Sequence, residues 1–187
     1  WLPQTGVDLS GTTVTVSGSS KTVTGIDFTG YRLINTGNNN IFEDCIGDFN
    51  TTGQTGNKRQ WDIRGANPTV RYCKITNPTP IGGVYGLATF DATGTITLDH
   101  NDVRDAAAQD VIAGPDVGGG SNVLIVTETL IKGIHLTVGA HVDTIDGRGG
   151  APGSTISRNF IIGDKTPTSA PAGSGTGFTN AFHDLPT

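Results

Sequence analysis

Five stretches of the chain share one apolar frame, in which a branched aliphatic residue stands five positions before another: Ile41 and Ile46, Val70 and Ile75, Leu98 and Val103, Ile125 and Leu130, Ile156 and Ile161. The steps between the leading residues are 29, 28, 27 and 31. A fixed period of this size constrains the fold more than any other property of the chain, because so short a repeat buries its apolar face only by stacking on its neighbours. The repeats are rich in valine, isoleucine and threonine, and glycine, asparagine and proline interrupt them every few residues, so they read as strands. A helical array of similar period needs long leucine- or alanine-rich segments at helical spacing, and only Asp102 to Ala108 has room for even a short helical turn.

Each period holds at least two strands. One coincides with the frame and is clearest in Thr95 to Asp99 and Asn122 to Val126. The other precedes it, at Tyr31 to Asn35, Trp61 to Arg64, Leu87 to Asp91, Asp110 to Ala113 and Val142 to Asp146, and the pair Thr12 to Ser17 and Thr22 to Phe28 opens the series. Two or three short strands in a constant period predict an all-β chain, a parallel β-helix of about six coils, on the order of 30 Å long at about 4.8 Å per rung. The excess over a minimal coil falls in loops at 54–58, 78–83, 114–120 and 147–153. Residues 1–19 are expected to form a cap and first strands and 20–163 the β-helix. Residues 164–187, rich in proline, glycine, serine and threonine, read as a linker or assembly arm.

Stacking puts equivalent residues in columns. Three places after the leading aliphatic residue, the column reads Asp44, Cys73, Asn101, Glu128, Asn159, in which asparagine is expected to satisfy backbone groups at a bend. Cys45 and Cys73 lie 28 residues apart, on adjacent rungs but one place out of line. A disulfide and two separate buried thiols both stay open. No metal site and no cofactor are expected, since two cysteines without suitably spaced histidines do not make a zinc site.

Composition narrows the class. Glycine numbers 28 and only 34% of the chain is hydrophobic, which suits a thin, elongated core. The formal charge is −5 with no basic run, and this argues against nucleic acid as a partner, whose affinity comes mainly from phosphate neutralisation. The longest aliphatic run, Val123 to Val126, is far too short for membrane insertion. With no methionine and Trp1 in first place, the chain reads as processed, cut or excised.

The segment Thr95-Ile96-Thr97-Leu98-Asp99-His100-Asn101-Asp102-Val103 and its echo Ser154-Thr155-Ile156-Ser157-Arg158-Asn159-Phe160-Ile161 resemble the usual rung of right-handed parallel β-helix proteins. These form the pectate-lyase-like superfamily, which includes phage tailspikes and extracellular polysaccharide-degrading enzymes. The resemblance covers roughly residues 20 to 163 and implies the right-handed β-helix fold. It says little of function, since one solenoid hosts many activities. Gly139 to Arg148 also looks like a His-x-Asp-Gly-Ile-Gln rung seen in actinobacterial and phage β-helix proteins, with Thr144 in place of the glycine and Asp146 in place of the glutamine.

Carboxylates gather in the first strand of successive repeats: Asp62, Asp91, Asp110, Asp143 and Asp146, with Arg64, His141 and Arg148 nearby. In Trp61-Asp62-Ile63-Arg64, alternation turns Asp62 and Arg64 outward, and Phe90 inward leaves Asp91 outward. If the acids line one face, pairs one or two rungs apart suit glycoside hydrolysis, which needs two carboxylates about 5 to 10 Å apart. Asp143, His141, Asp91 and Asp110 are therefore the catalytic candidates, with His141 as base and Asp143 orienting it. Asp62, Arg64, Asp146 and Arg148 are the binding candidates. A solvated outer face accounts for the same residues without chemistry.

The paired aspartates, Gly-His-Gly and Arg-Ile-Lys of polygalacturonases are missing, as is the Arg-x-Pro-x-x-Arg of pectate lyases. The expectation is therefore a β-helix component of a virion appendage, a phage tail or spike protein that contacts surface polysaccharide or glycan without cutting it. It would be a homo-oligomer, commonly a trimer, or would bind other virion proteins, and would sit on the virion or outside the cell. An extracellular polysaccharide lyase or glycoside hydrolase using the acidic face is the alternative.

Overall fold

A computed structural model describes residues 6–48, 58–76, 84–89, 91–104, 110–114, 121–132, 143–146, 152–162 and 180–183. These residues are all-β, with no helix among them. Sheet A contains, in spatial order, Val7–Ser10, Thr13–Val16, Arg32–Asn35, Lys58–Ile63, Val84–Ala88, Asp110–Ala113, Asp143–Asp146 and Asn180–His183. Sheet B orders Thr22–Thr24, Ile41–Glu43, Thr69–Arg71, Thr95–Asp99, Val123–Thr127 and Thr155–Ser157, and sheet C orders Ile46–Asp48, Lys74–Thr76, Asp102–Arg104, Leu130–Lys132 and Phe160–Ile162. A small fourth sheet pairs Gly65–Ala66 with Ala92–Thr93. The chain runs from A to B to C and back to A, and the strands pair in parallel except that Val7–Ser10 lies antiparallel to Thr13–Val16.

Alternation along each short strand sends one set of side chains into a single core shared by the three sheets. Sheet A contributes the column Val14, Leu33, Trp61, Leu87, Ile112 and Ile145. Sheet B contributes Val23, Phe42, Val70, Leu98 and Val126, ending in the partly buried Ile156. Sheet C contributes Gly47, Ile75, Val103 and Ile131, ending in the partly buried Ile161. Each large aliphatic or aromatic side chain so buried contributes about 1.5–3 kcal/mol.

The register corrects the frame in two of its five copies. Phe42, not Ile41, and Val126, not Ile125, stand in the buried column, so Gly47 and Ile131 replace Ile46 and Leu130 in the following strand. The corrected leading residues are Phe42, Val70, Leu98, Val126 and Ile156, with steps of 28, 28, 28 and 30. Both errors sit where two apolar residues are adjacent, and a slip of one residue moves a side chain to the opposite face. The frame is also two strands rather than one, since its first member lies in sheet B and its second in sheet C.

Two-residue turns join B to C: Asp44-Cys45, Tyr72-Cys73, His100-Asn101, Glu128-Thr129 and Arg158-Asn159. The first residue of each is left-handed, with φ of 53°, 55°, 51°, 48° and 55° in that order. The second residues form the column Cys45, Cys73, Asn101, Thr129, Asn159, so the two cysteines fall in line rather than one place apart. Asn101 accepts from the Cys73 amide at 3.1 Å and donates to the Val70 carbonyl at 2.9 Å. Asn159 does the same for Thr129 and Val126, at 2.9 and 2.8 Å. The bend role expected of asparagine is thus met through the preceding repeat's backbone. The residues between a sheet C strand and the next sheet A strand, 49–57, 77–83, 105–109, 133–142 and 163–179, differ in number from repeat to repeat and lie outside the described residues.

Candidate functional site

Trp61 and Ile63 point into the core from the sheet A strand Lys58–Ile63, and Asp62 between them takes the opposite face, as alternation requires. It is nevertheless fully buried. Three guanidinium groups enclose it: Arg32 Nη2 at 2.9 Å and Arg64 Nη2 at 2.6 Å from Oδ2, and Arg59 Nη1 at 3.5 Å from Oδ1. The outward direction expected of Asp62 and Arg64 is observed. The expected solvation of Asp62 is not, because buried charge persists only where donors compensate it.

The enclosure is built from neighbouring strands. Leu33 pairs with Trp61, which brings Arg32 alongside the strand before Asp62, and Arg32 Nε donates to the Arg59 carbonyl at 3.1 Å. Asp91 lies past the end of Val84–Ala88, outside the strand expected to hold it, and turns back to accept from Arg59 Nη1 at 2.7 Å, with Arg64 Nε 3.7 Å away. The hydrogen bond that Arg64 donates to Asp62 holds its guanidinium above its usual pKa, although burial acts the other way. Gln60, also fully buried, donates from Nε2 to the Tyr31 carbonyl at 2.9 Å.

The five acids do not form one line. Asp62 shares its column with Ala88, Ala113 and Asp146, and Asp146 in turn pairs with His183. Asp110 and Asp143 belong to a different column, where they are direct partners on adjacent strands. Asp91 belongs to neither. His141 and Arg148 lie outside the described residues.

A second polar cluster follows the B-to-C turns. His100 Nδ1 lies 2.9 Å from Asp99 Oδ2 and Nε2 lies 2.8 Å from Glu128 Oε2, while Arg158 Nη2 meets Glu128 Oε1 at 2.8 Å. The His100 ring stacks on Tyr72, with centroids 4.9 Å apart and planes at 35°. Arg71 and Glu43 continue the ladder at 2.9 Å. Burial pushes the Asp99 carboxyl up, but the Thr127 hydroxyl, His100 and Arg158 together hold it below the usual carboxylate range. The sequence carried a weak signal for this ladder, since Tyr72, His100 and Glu128 recur at intervals of 28, but of the three only His100 is of a type enriched in the left-handed region.

Both oxygens of Asp62 accept from guanidinium donors, and full burial keeps the carboxylate from reaching a sugar laid on this face. The arginines are fixed in turn, with side-chain exposures of 23% for Arg32, 24% for Arg59 and 37% for Arg64. The result is a hydrogen-bonded layer in which the arginine side chains keep between 23% and 37% of their surface exposed above a fully buried carboxylate. No group of three or more metal-ligating side chains occurs among the described residues. Compared with family models, curated proteins and solved structures, the chain matches none.

Proposed function

We propose that the three sheets wrap as a right-handed parallel β-helix and that the chain is a non-catalytic component of a virion appendage, of phage tail or spike type, whose sheet A face contacts a surface glycan. The return of the chain to sheets B and C in successive steps of 28 residues, from Phe42 to Val126 and from Gly47 to Ile131, supports the β-helix reading. One observation carries the functional reading: Asp62 is enclosed by Arg32, Arg59 and Arg64. Arginines held by a buried carboxylate present donors to sugar hydroxyl or acidic groups without an ordering cost at the moment of binding. The burial of Asp62 beneath them keeps its carboxylate out of reach of a sugar.

Binding of immobilised acidic and neutral bacterial polysaccharides, before and after Arg64→Ala substitution, tests this. Retention of a polysaccharide that weakens at least several-fold in the variant, with no change in polysaccharide length, is the expected result. A trimeric mass in solution supports the spike arrangement, and a stable monomer counts against it.

Hydrolysis or lyase cleavage is the second reading, and the register of Asp110 beside Asp143 favours it. Adjacent strands place the two backbones about 4.8 Å apart, compatible with the carboxylate separation of a retaining glycosidase. Polysaccharide shortening that disappears on Asp143→Asn substitution would replace the binding function with this one.

A further inference from the structure

Cys45 and Cys73 occupy the second position of consecutive B-to-C turns. The backbones of these turns are bonded side by side: the Asp44 amide donates to the Arg71 carbonyl at 3.3 Å, and the Lys74 amide donates to the Cys45 carbonyl at 2.9 Å. Neighbours so joined stand about one strand spacing apart, roughly 4.8 Å, which lies within the range of Cα separations that disulfides span. The two side chains also take equivalent directions. Cys45 Sγ donates to the carbonyls of Glu43 and Val23 at 3.3 and 3.4 Å, and Cys73 Sγ to those of Arg71 and Phe42 at 3.3 and 3.5 Å.

Both residues are buried and both are free thiols. Farther along the same column, Asn101, Thr129 and Asn159 satisfy the bend with amide or hydroxyl groups. Those groups bond backbone better than a thiol does, so the bend gives no reason for two successive cysteines. The contact between the sulfurs holds the Cys45 thiol below its usual range and, with burial adding to it, pushes the Cys73 thiol up.

We propose that Cys45 and Cys73 are a reversible thiol–disulfide pair, oxidised by a small-molecule disulfide to a bond that ties their two repeats together. Cys45 thiolate attacks one sulfur of the oxidant, forming a mixed disulfide and releasing one thiolate. Cys73, losing its proton to solvent, then attacks the Cys45 sulfur and releases the second thiolate. Two protein thiols thus give up two electrons and two protons, and one oxidant disulfide becomes two thiols.

The full chain is incubated with oxidised glutathione in urea below the unfolding transition, which lets buried turns open transiently, and is then denatured and alkylated for mass spectrometry. The wild type is expected to fall from two alkylatable thiols to none, without a glutathione adduct, and to regain both with dithiothreitol. Cys73→Ser and Cys45→Ser, which change one atom each, are expected to hold glutathione or one alkylatable thiol. The oxidised wild type is also expected to unfold at higher urea than the reduced form. A wild type that keeps both thiols, carries glutathione adducts or cross-links between chains overturns the proposal.

Discussion

Trp61 fills the space that Gly47 leaves empty. A Cβ on Gly47 would lie 2.5 Å from Trp61 Nε1 and 2.9 Å from Cε2 and Cζ2. The other members of the Gly47 column are Ile75, Val103, Ile131 and Ile161, so the largest side chain of the core faces the one column member without a side chain. Phe28 packs edge-on against the indole at 5.8 Å and 89°, and Phe42 at 6.4 Å and 58°, which leaves it no direction in which to retreat. Gly47→Ala is therefore expected to destabilise the fold by about 1–3 kcal/mol through overpacking. Urea unfolding should show a lower midpoint with an unchanged slope. Adding Trp61→Phe should recover part of the loss, and a strictly additive double variant would refute the contact as its cause.

Asp62 and Asp91 share arginine partners but differ in burial, so their removal should cost different amounts. Asp62→Ala leaves Arg32, Arg59 and Arg64 facing one another without their buried counter-charge. Removing one partner of a buried ion cluster typically costs about 3–5 kcal/mol. The Asp91 side chain is 44% exposed, and at such a position an ion pair contributes about 0–1 kcal/mol. Thermal unfolding of the two variants side by side checks the ordering. Equal losses would mean that Asp62 is not the anchor of the arginine layer.

Legibility in the sequence followed the physics of each feature. Val70, Leu98 and Ile156 were placed correctly because each is the sole apolar residue of its immediate neighbourhood, and alternation alone then decides its face. Ile41-Phe42 and Ile125-Val126 defeat that rule, because either residue of the pair is apolar enough to face the core and only hydrogen-bond register selects one. The site behaved likewise. Alternation within a single strand pointed to Asp62 and Arg64. Arg32 and Arg59 escaped notice because the contact of Arg32 with Asp62 spans 30 residues, and Arg59 belongs to a strand that begins three residues before its expected start at Trp61. The cysteine alignment failed for the same reason as the frame: one misassigned residue in the first repeat shifted Cys45 out of line.

Asp99 gives the fold a pH dependence on the acid side. Its folded pKa is depressed, so the stability it contributes is present above the unfolded value of about 3.9 and is lost as pH falls through the folded value. The Thr127 hydroxyl bonded to Asp99 Oδ1 at 2.5 Å is the largest of the groups that depress it. Thr127→Val removes that bond at constant shape, and near neutral pH it should cost about 1–2 kcal/mol. The difference between wild type and variant should shrink as the pH is taken down below the ordinary carboxylate range. Stability curves measured by urea unfolding from neutral pH into the acid range report this directly, and a difference that stays constant would locate the effect elsewhere.

The corrected register is testable where the sequence is most ambiguous. Val126 lies in the buried column between Leu98 and Ile156, while Ile125 pairs with Thr97 and Thr155 on the opposite face and is only partly buried. Threonine is nearly isosteric with valine, so Val126→Thr changes little volume but places a hydroxyl among apolar side chains, at an expected cost of about 1–3 kcal/mol. Ile125→Thr sits beside threonines already and should cost less than about 1 kcal/mol. The following strand supplies an independent replicate, because Ile131 is buried and Leu130 only partly so. Ile131→Thr should therefore exceed Leu130→Thr, although both remove apolar volume. If Ile125 and Leu130 proved the costlier pair, the strand would have slipped by one residue, and the sheet B and sheet C columns that pass through Val126 and Ile131 would have to be redrawn, while the alignment of Cys45 with Cys73, set by Phe42 beside Val70, would stand.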